Sequence, residues 1–471
     1  MLSVGTTLIT TLLALAVFAV IAVAGTRRLG LADRDTYLTA RGTQTGGALA
    51  LTYFASALGA WILFAPPAVG ALGDLLSVLG YAVGQAAAVA ILAWLGPAVR
   101  ARTPSGTTIL EFVAERFGRP MQVWAGAVSV LYMFVFVVAE LTAIGGAVAV
   151  LGGVDARVTV VAVVAVTTAY TAFGGLPASL ATDRWQAWLV LALVAIGIVA
   201  VAANVSDPLG AAADGGLTSV STSGAKQFVA LAIAIVAANL FHQGFWQRVW
   251  AASDDRSVRR GALIGGGLIV PLIFLMGLAG MVAAGAGLAA PDAPALSLFA
   301  LVGGLPAVAL IAVVGLGVTL VASTVDTLQN ALTSLVAVHV SRGRIGLTAA
   351  RWVTVALTVP AAVIAFQGVD VLRIFLVADL LASTIAIPVF AGLSSRVTPA
   401  GAVAGSAAGL VSLLVLGLVT GQPDLILLPA GIQLQPFLVA PLASGAVTWL
   451  VSAARPGSDT RDVTTGAAVG S

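Results

Sequence analysis

The 471-residue sequence contains no cysteine and only two histidines, His242 and His339. Without cysteine there is no disulfide framework, no thiolate metal site and no dithiol redox couple. Two isolated histidines are too few for a haem or a metal-centred electron carrier. A membrane-embedded enzyme would need a nucleophile and base, or a metal site, and neither constellation is present. Charge is scarce as well. Asp, Glu, Lys and Arg make up 9% of the chain and hydrophobic residues 60%, where an ordinary soluble domain carries about 25% charge. Such a surface cannot face water, which excludes a soluble fold. The apolar stretches run near 20 residues and lack period-2 alternation, so a β-barrel is excluded and helices remain as the way to satisfy every backbone polar group in hydrocarbon. No basic segment is interleaved with aromatics, which argues against a nucleic-acid partner.

The cations that do occur are placed systematically. Nineteen of the 22 Lys and Arg residues fall in every second gap between apolar runs. Arg27, Arg28, Arg34 and Arg41 follow the first run, Arg100, Arg102, Arg116 and Arg119 the third, Arg184 the fifth, and Arg248, Arg256, Arg259 and Arg260 the seventh. Arg342, Arg344 and Arg351 follow the ninth, Arg396 the eleventh, and Arg455 and Arg461 the last, leaving Arg157, Lys226 and Arg373 out of pattern. Because cytoplasmic loops retain Lys and Arg, these gaps are expected to face the cytoplasm. The chain then has an odd number of crossings, an external N-terminus and a cytoplasmic C-terminus in the plasma (inner) membrane. The first run, roughly 3–25, has its cations after it rather than before it, and so reads as a retained helix rather than a cleaved signal.

The pattern predicts about thirteen transmembrane helices, near 3–25, 47–70, 77–98, 121–151, 158–175, 185–204, 226–247, 261–286, 305–339, 349–367, 371–394, 400–420 and 431–453, with 295–304 as an outer interfacial segment. No soluble domain fits in the gaps, and the tail beyond Arg455 is small and polar. Gly401, Gly405 and Gly409 recur at helical spacing, a signature of close helix packing. Two spans have a different character. The second contains ASALGA (55–60), Trp61 and Pro66-Pro67; the seventh contains NLFHQGFWQ (239–247). Both patterns predict an interrupted helix, the second of them at Gly244, and an interrupted helix leaves carbonyls free to coordinate a cation. The two stand five spans apart. Two five-helix units, 47–204 and 226–394, would therefore be inverted relative to each other, as in inverted-repeat transporters. The remaining divisions are 1–46, an extra helix and first inner loop; 205–225, an outer loop; 395–454, two further helices; and 455–471, an inner tail.

The stretch 170–186, YTAFGGLPASLATDRWQ, resembles the YT-x-x-GG-x-x-A-x-x-x-TD-x-x-Q signature of the sodium:solute symporter family. Gln247-Arg248 followed by AASDD (251–255), and STVDT (323–327), support the resemblance in the right order. The family implies an all-α, leucine-transporter-like 5+5 inverted-repeat core, here with one helix before it and two after, as in its proline-permease branch. It also implies a sodium site at the positions of Ala55, Leu58, Leu320, Ser323 and Thr324, built from carbonyls of the broken helix and oxygens of the eighth core helix. Such a set suits a hard cation. Asp183 matches the acidic position of the signature and is either an exit-path ion ligand or the N-cap of a helix beginning at Arg184. Departures bear on substrate: Ala57 replaces an aspartate of the proline-permease branch, Gly59 and Ala60 replace a serine and a glycine, and Ala238 stands near an aromatic position of the sugar-transporting branch.

Glu140, Asp326 and Asp379 fall inside spans, where a charged residue costs about 2.5–3.5 kcal/mol at the centre and needs a partner or a proton. Asn239, His242 and Gln243 cover adjacent faces of the seventh span near its expected break. Together with Ala57, Gly59, Trp61, Glu140 and Asp379 they form the candidate substrate site. This set offers hydrogen bonds and negative charge but no lysine or arginine, so it favours polar neutral, cationic or zwitterionic solutes over anions. The expected function is sodium-driven uptake of a small organic solute by alternating access, with no organic cofactor. The three intramembrane acids keep proton coupling as an alternative. A transport-like sensor would be expected to append a signalling domain. No motif specifies the solute, the ion stoichiometry or an oligomeric state.

Overall fold

The computed structural model describes residues 1–29, 39–290, 294–339, 347–428 and 431–454, and the side chains of these except 25–29, 60, 173–175, 177–178, 181–185, 187, 337–339, 347 and 350. Helix α1 (Val4–Leu29) precedes a broken span made of α2 (Gly46–Ser56) and α3 (Ala65–Leu72), joined through a 3-10 turn at Ala60–Leu63 and bent by 56°. Pro66 and Pro67 occupy the first turn of α3, where a missing N–H has no intrahelical bond to lose. They therefore start the second half-helix rather than kink it. Next come α4 (Leu75–Ala90), α5 (Leu92–Arg102), α6 (Ile109–Phe117), α7 (Arg119–Gly152) and α8 (Ala156–Asn204). The second broken span is α9 (Thr222–Asn239) with α10 (Gln243–Ala251), followed by α11 (Asp255–Gly285), α12 (Ala307–His339), α13 (Leu347–Ala365), α14 (Val371–Ala391), α15 (Pro399–Val419) and α16 (Leu434–Ala454).

Among the described residues, nine helices are long and apolar enough to cross a membrane, α9 among them, or eleven if each of two bent pairs is one span, Gly46–Ser56 with Trp61–Leu72 and Trp188–Asn204 with Pro208–Leu217. Two further expected spans, 158–175 and 349–367, fall on Ala156–Ala172 and Arg351–Ala365, which are apolar but shorter than 18 residues. The expected interfacial segment 295–304 is a short turn and the helix Ser297–Val302.

One element differs from expectation. The spans 158–175 and 185–204 are not separated by a loop, since α8 is helical from Ala156 to Asn204. Yet Tyr170, Ser179 and Gln186 all reach the segment 322–327 of α12, while a straight helix would hold Tyr170 and Gln186 about 24 Å apart. The element therefore bends back between them, and its two arms are the two expected spans.

The gaps sort onto two faces. On one, Arg41 donates to the carbonyls of Pro104, Ser105 and Gly106, Arg102 to Leu393, and Arg116 to Gly392, Ser394 and Val397, while Gln44 pairs with Ala251 and Ser253. These are arginine-rich gaps of the sequence. On the other face, Leu2 bonds Leu151, Asn204 bonds Leu301, and Asp74 bonds Ser221. The alternation of charge is thus an alternation of faces.

Packing divides the helices into two groups. The broken spans pack with α4 and α11, and α7, α8, α12 and α13 form a second layer with α1 against α8 and α12. Contacts between the groups run through α2 to α8, α10 to α12 and α14 to α7. Small residues allow the closest approaches: a Cβ on Gly70 would lie 1.9 Å from the carbonyl oxygen of Gly277, and one on Gly405 would lie 1.9 Å from Thr448 Oγ1 of α16. The expected stripe Gly401–Gly405–Gly409 is therefore the seam between α15 and its neighbours α16 and α14.

Candidate functional site

The two helix breaks lie where the groups of helices meet. At the first, α2 ends at Ser56, and the freed backbone groups are taken up by side chains from other helices. Gln85 Nε2 of α4 donates to Ala57 O at 3.3 Å. Glu140 Oε1 of α7 accepts from Trp61 N at 3.4 Å, an anionic or polar acceptor at the start of a half-helix. Gly59 is required by this approach, because a Cβ there would fall 2.1 Å from Glu140 Oε1. The expected intramembrane partner of Glu140 is thus the broken helix itself.

The predicted ion ligands converge at the same break. Thr324 Oγ1 lies 3.3 Å from Leu58 O and 3.1 Å from Leu320 O. Gln186 Nε2 lies 2.9 Å from Ala55 O, 2.6 Å from Leu58 O and 3.2 Å from Thr324 Oγ1. Four of the five expected positions therefore surround one small volume, and Ser323, fully buried, precedes Thr324 on α12 about 100° round the helix. The donor set is all oxygen, which fits a hard monovalent cation. Two residues beyond Thr324 on α12, buried Asp326 accepts from the Tyr170 hydroxyl at 2.8 Å. Asp183 lies on α8, and its side chain is outside the described residues.

The second break falls at Leu240–His242, two residues ahead of the Gly244 expected from sequence. Gly244 instead makes room for His242: a Cβ there would meet His242 Cε1 at 2.8 Å. Ser129 of α7 donates to Phe241 O and Trp246 Nε1 to Leu240 O. Asn239 Nδ2 bonds back to Ile235 O, leaving Oδ1 buried without a partner. Both ring nitrogens of His242 are buried and unpartnered, and its ring stacks on Phe245 at 4.3 Å. Gln243 is placed differently. Its amide donates to Thr107 O and accepts from Ile109 N, so it fastens α10 to the start of α6.

Between the breaks, Trp61 and His242 join a run of aromatic rings whose other members the sequence did not single out. Trp61 packs on Tyr81 (5.8 Å between centroids) and Phe375 (6.2 Å), Phe375 on Phe136 (4.8 Å), and Phe136 on Tyr132 (5.9 Å) and His242 (5.5 Å). Asp379 stands one helical turn beyond Phe375 on the same face of α14. Its carboxylate is in a residue 5% exposed and accepts no hydrogen bond from the described residues. Trp61 Nε1 is likewise buried and unpartnered. A clue was present in the sequence: the chain has five tyrosines, and Tyr53, Tyr81, Tyr132 and Tyr170 all lie within spans.

Two broken helices whose breaks lie where the helix groups meet, with an oxygen cluster beside one of them, belong to a leucine-transporter-like fold, a 5+5 inverted-repeat core, as the solved structures of that fold show. Similar solved structures include a sodium-coupled sialic acid symporter in a substrate-bound outward-open state (TM-score 0.75, 15% identity, covering 95% of this chain and 98% of that one). They also include Mhp1, a nucleobase-cation-symport-1 family transporter (0.58, 17%, 90% and 96%), and MhsT in complex with L-phenylalanine (0.56, 15%, 86% and 98%). Residues 37–409 match the sodium:solute symporter family, and the chain belongs to it. A curated relative, the spermidine transporter DUR31 of Candida albicans, is 30% identical over 361 residues, 76% of this chain and 69% of that one. The protein is a multi-pass membrane transporter, not an enzyme.

Proposed function

We propose that this symporter imports a small organic cation, an amine, driven by sodium. The observation that carries the reading is the run of ring contacts Tyr81–Trp61–Phe375–Phe136–Tyr132 with buried Asp379 one helical turn from Phe375, a carboxylate that accepts no hydrogen bond from the described residues. Aromatic faces attract ammonium groups, and a desolvated carboxylate supplies the counter-charge. No lysine or arginine stands in this run, which disfavours anions. His242 and Asn239 add unpartnered hydrogen-bonding atoms on the far side. The similarity to a spermidine transporter supports an amine as substrate.

Sodium would be held by Ala55 O, Leu58 O, Leu320 O and Thr324 Oγ1, with Ser323 beside them; the convergence of these oxygens supports this assignment. Asp183 on α8 is an exit-path candidate. In this reading the arginine-rich face lies in the cytoplasm and the N-terminus outside a plasma membrane, and the retention of Lys and Arg in cytoplasmic loops supports the orientation. A second coupling reading rests on buried Asp326, whose carboxylate meets Tyr170 two residues beyond Thr324 and offers a proton-carrying site. The test is uptake into proteoliposomes of labelled spermidine, putrescine and choline, with proline and sialic acid as zwitterionic and anionic comparators, under an inward sodium gradient, an inward proton gradient or neither. Sodium-stimulated uptake of the cations alone supports the proposal. Preferential uptake of a comparator refutes the substrate class, and stimulation by protons alone moves the coupling to Asp326.

A further inference from the structure

Gln186 ends the signature stretch and is fully buried on α8. Its amide is asymmetric in its contacts. The nitrogen lies 2.6–3.2 Å from Ala55 O, Leu58 O and Thr324 Oγ1, whereas Oε1 is buried with no hydrogen-bond partner. The opposite orientation would set Oε1 against two carbonyl oxygens with no proton between them, so these acceptors fix which end of the amide faces them. The positive end of a side-chain dipole therefore stands within the oxygen set assigned to the coupling ion.

We propose that the Gln186 amide is a tethered stand-in for the coupling cation: its nitrogen and the ion exclude each other from the oxygens of Ala55, Leu58 and Thr324. Binding then proceeds by displacing the amide. The inference rests on the ion site proposed above. Physically, a carbonyl freed by a helix break in hydrocarbon, as Leu58 O is, is costly without a donor, while Ala55 O keeps its bond from Leu58 N and has a second lone pair to offer. A nearby amide lowers the energy of the cation-free site and thereby weakens net ion affinity, which makes release at the far side easier. The terminal torsion of glutamine is broad, so withdrawal needs no movement of α8.

The test compares purified wild type with Gln186→Met, which keeps the chain length without a donor, and with Gln186→Ala. Sodium binding is followed by scintillation proximity with labelled sodium. Melting temperature is followed against sodium chloride, with potassium chloride at equal ionic strength as the reference. Removing one net hydrogen bond that competes with the ion should lower the half-saturating sodium concentration about fivefold, equivalent to about 1 kcal/mol. Both variants should melt below wild type in potassium and approach it in saturating sodium, because the ion then serves the carbonyls. A residue that only glues helices would lower the melting temperature equally in both salts, and that result, or an unchanged or raised half-saturation, overturns the proposal. If wild type itself does not distinguish sodium from potassium, the ion site is misassigned and the stand-in falls with it. A sodium-sensitive wild type with unaltered variants overturns the stand-in alone.

Discussion

Asp379→Asn is the most direct probe of the substrate site. The substitution keeps shape and removes charge, and its carboxylate accepts no hydrogen bond from the described residues, so little else is disturbed. Truncating one member of a desolvated charge pair costs about 2–5 kcal/mol, and 1.4 kcal/mol is tenfold in affinity. The apparent affinity for the transported amine should therefore fall by about 30-fold to several-thousand-fold. The residue retains 5% exposure, which keeps some solvent near the charge and places the effect toward the lower end, about 30- to 100-fold. Trp61→Leu, which removes a cation–π partner worth about 0.5–2 kcal/mol, should cost about two- to thirtyfold. The assay is initial uptake in proteoliposomes at saturating sodium, with the sodium half-saturation measured in parallel. That second number should stay near wild type, because Asp379 touches none of the ion-site oxygens. An affinity for the amine within about threefold of wild type in Asp379→Asn would refute the cation site, and a change in both constants would mean that the aromatic run and the ion site are one unit.

Other expectations follow from the same geometry. Thr324→Ala removes a hydroxyl shared by Leu58 O and Leu320 O and should raise the sodium concentration for half-maximal uptake about tenfold, roughly 1.4 kcal/mol for one ligand; unchanged sodium dependence would rule out the site. With no native cysteine, single cysteines at Asp207 and Ser257 report sidedness, and an impermeant thiol reagent on intact cells should label position 207 and spare 257; the reverse would invert the topology. At the N-cap of α4, burial alone would raise the Asp74 carboxyl, but hydrogen bonds from Ser221 and Ser77 outweigh it and hold the group below the usual carboxylate range. A depressed folded value means this stabilisation is complete above the unfolded pKa of about 3.9 and lost as pH falls through the folded one. Asp74→Asn should therefore lower the melting temperature at pH 7 and flatten its decline toward pH 3, and an acid limb as steep as wild type would show that Asp74 does not contribute it.

Legibility in the sequence followed the range of the interaction. Arginine placement and apolar run length are local, and they yielded the faces and nearly all the spans. The breaks were signalled by glycine, proline and clustered polar residues within a few positions, so their neighbourhood was readable. The register of the second was not, because Gly244 serves the packing of the His242 ring rather than a bend. Gln243 looked like a pocket residue by spacing, yet its amide is consumed by Thr107 and Ile109 far away in sequence. The aromatic run joins residues 61, 81, 132, 136 and 375, and nothing at any one of those positions announces the others. Gln186 was visible as a motif letter, but its partners on α2 and α12 exist only after α8 has folded back.

The arginine fastenings described for one face also carry a mechanical meaning. Arg41 holds the turn at 104–106, and Arg102 and Arg116 hold the end of α14 at 392–397. Each grips backbone rather than a side chain, so the grip does not depend on the rotamer of a partner. A rocking motion that opened this face by parting α6 from the end of α14 would have to release several charge-assisted bonds at once. Motion that carries the 103–119 corner and the foot of α14 together as one plate breaks none of them. The pivot of such a motion should then lie away from that plate, in the unwound backbone at 57–59 and 240–242.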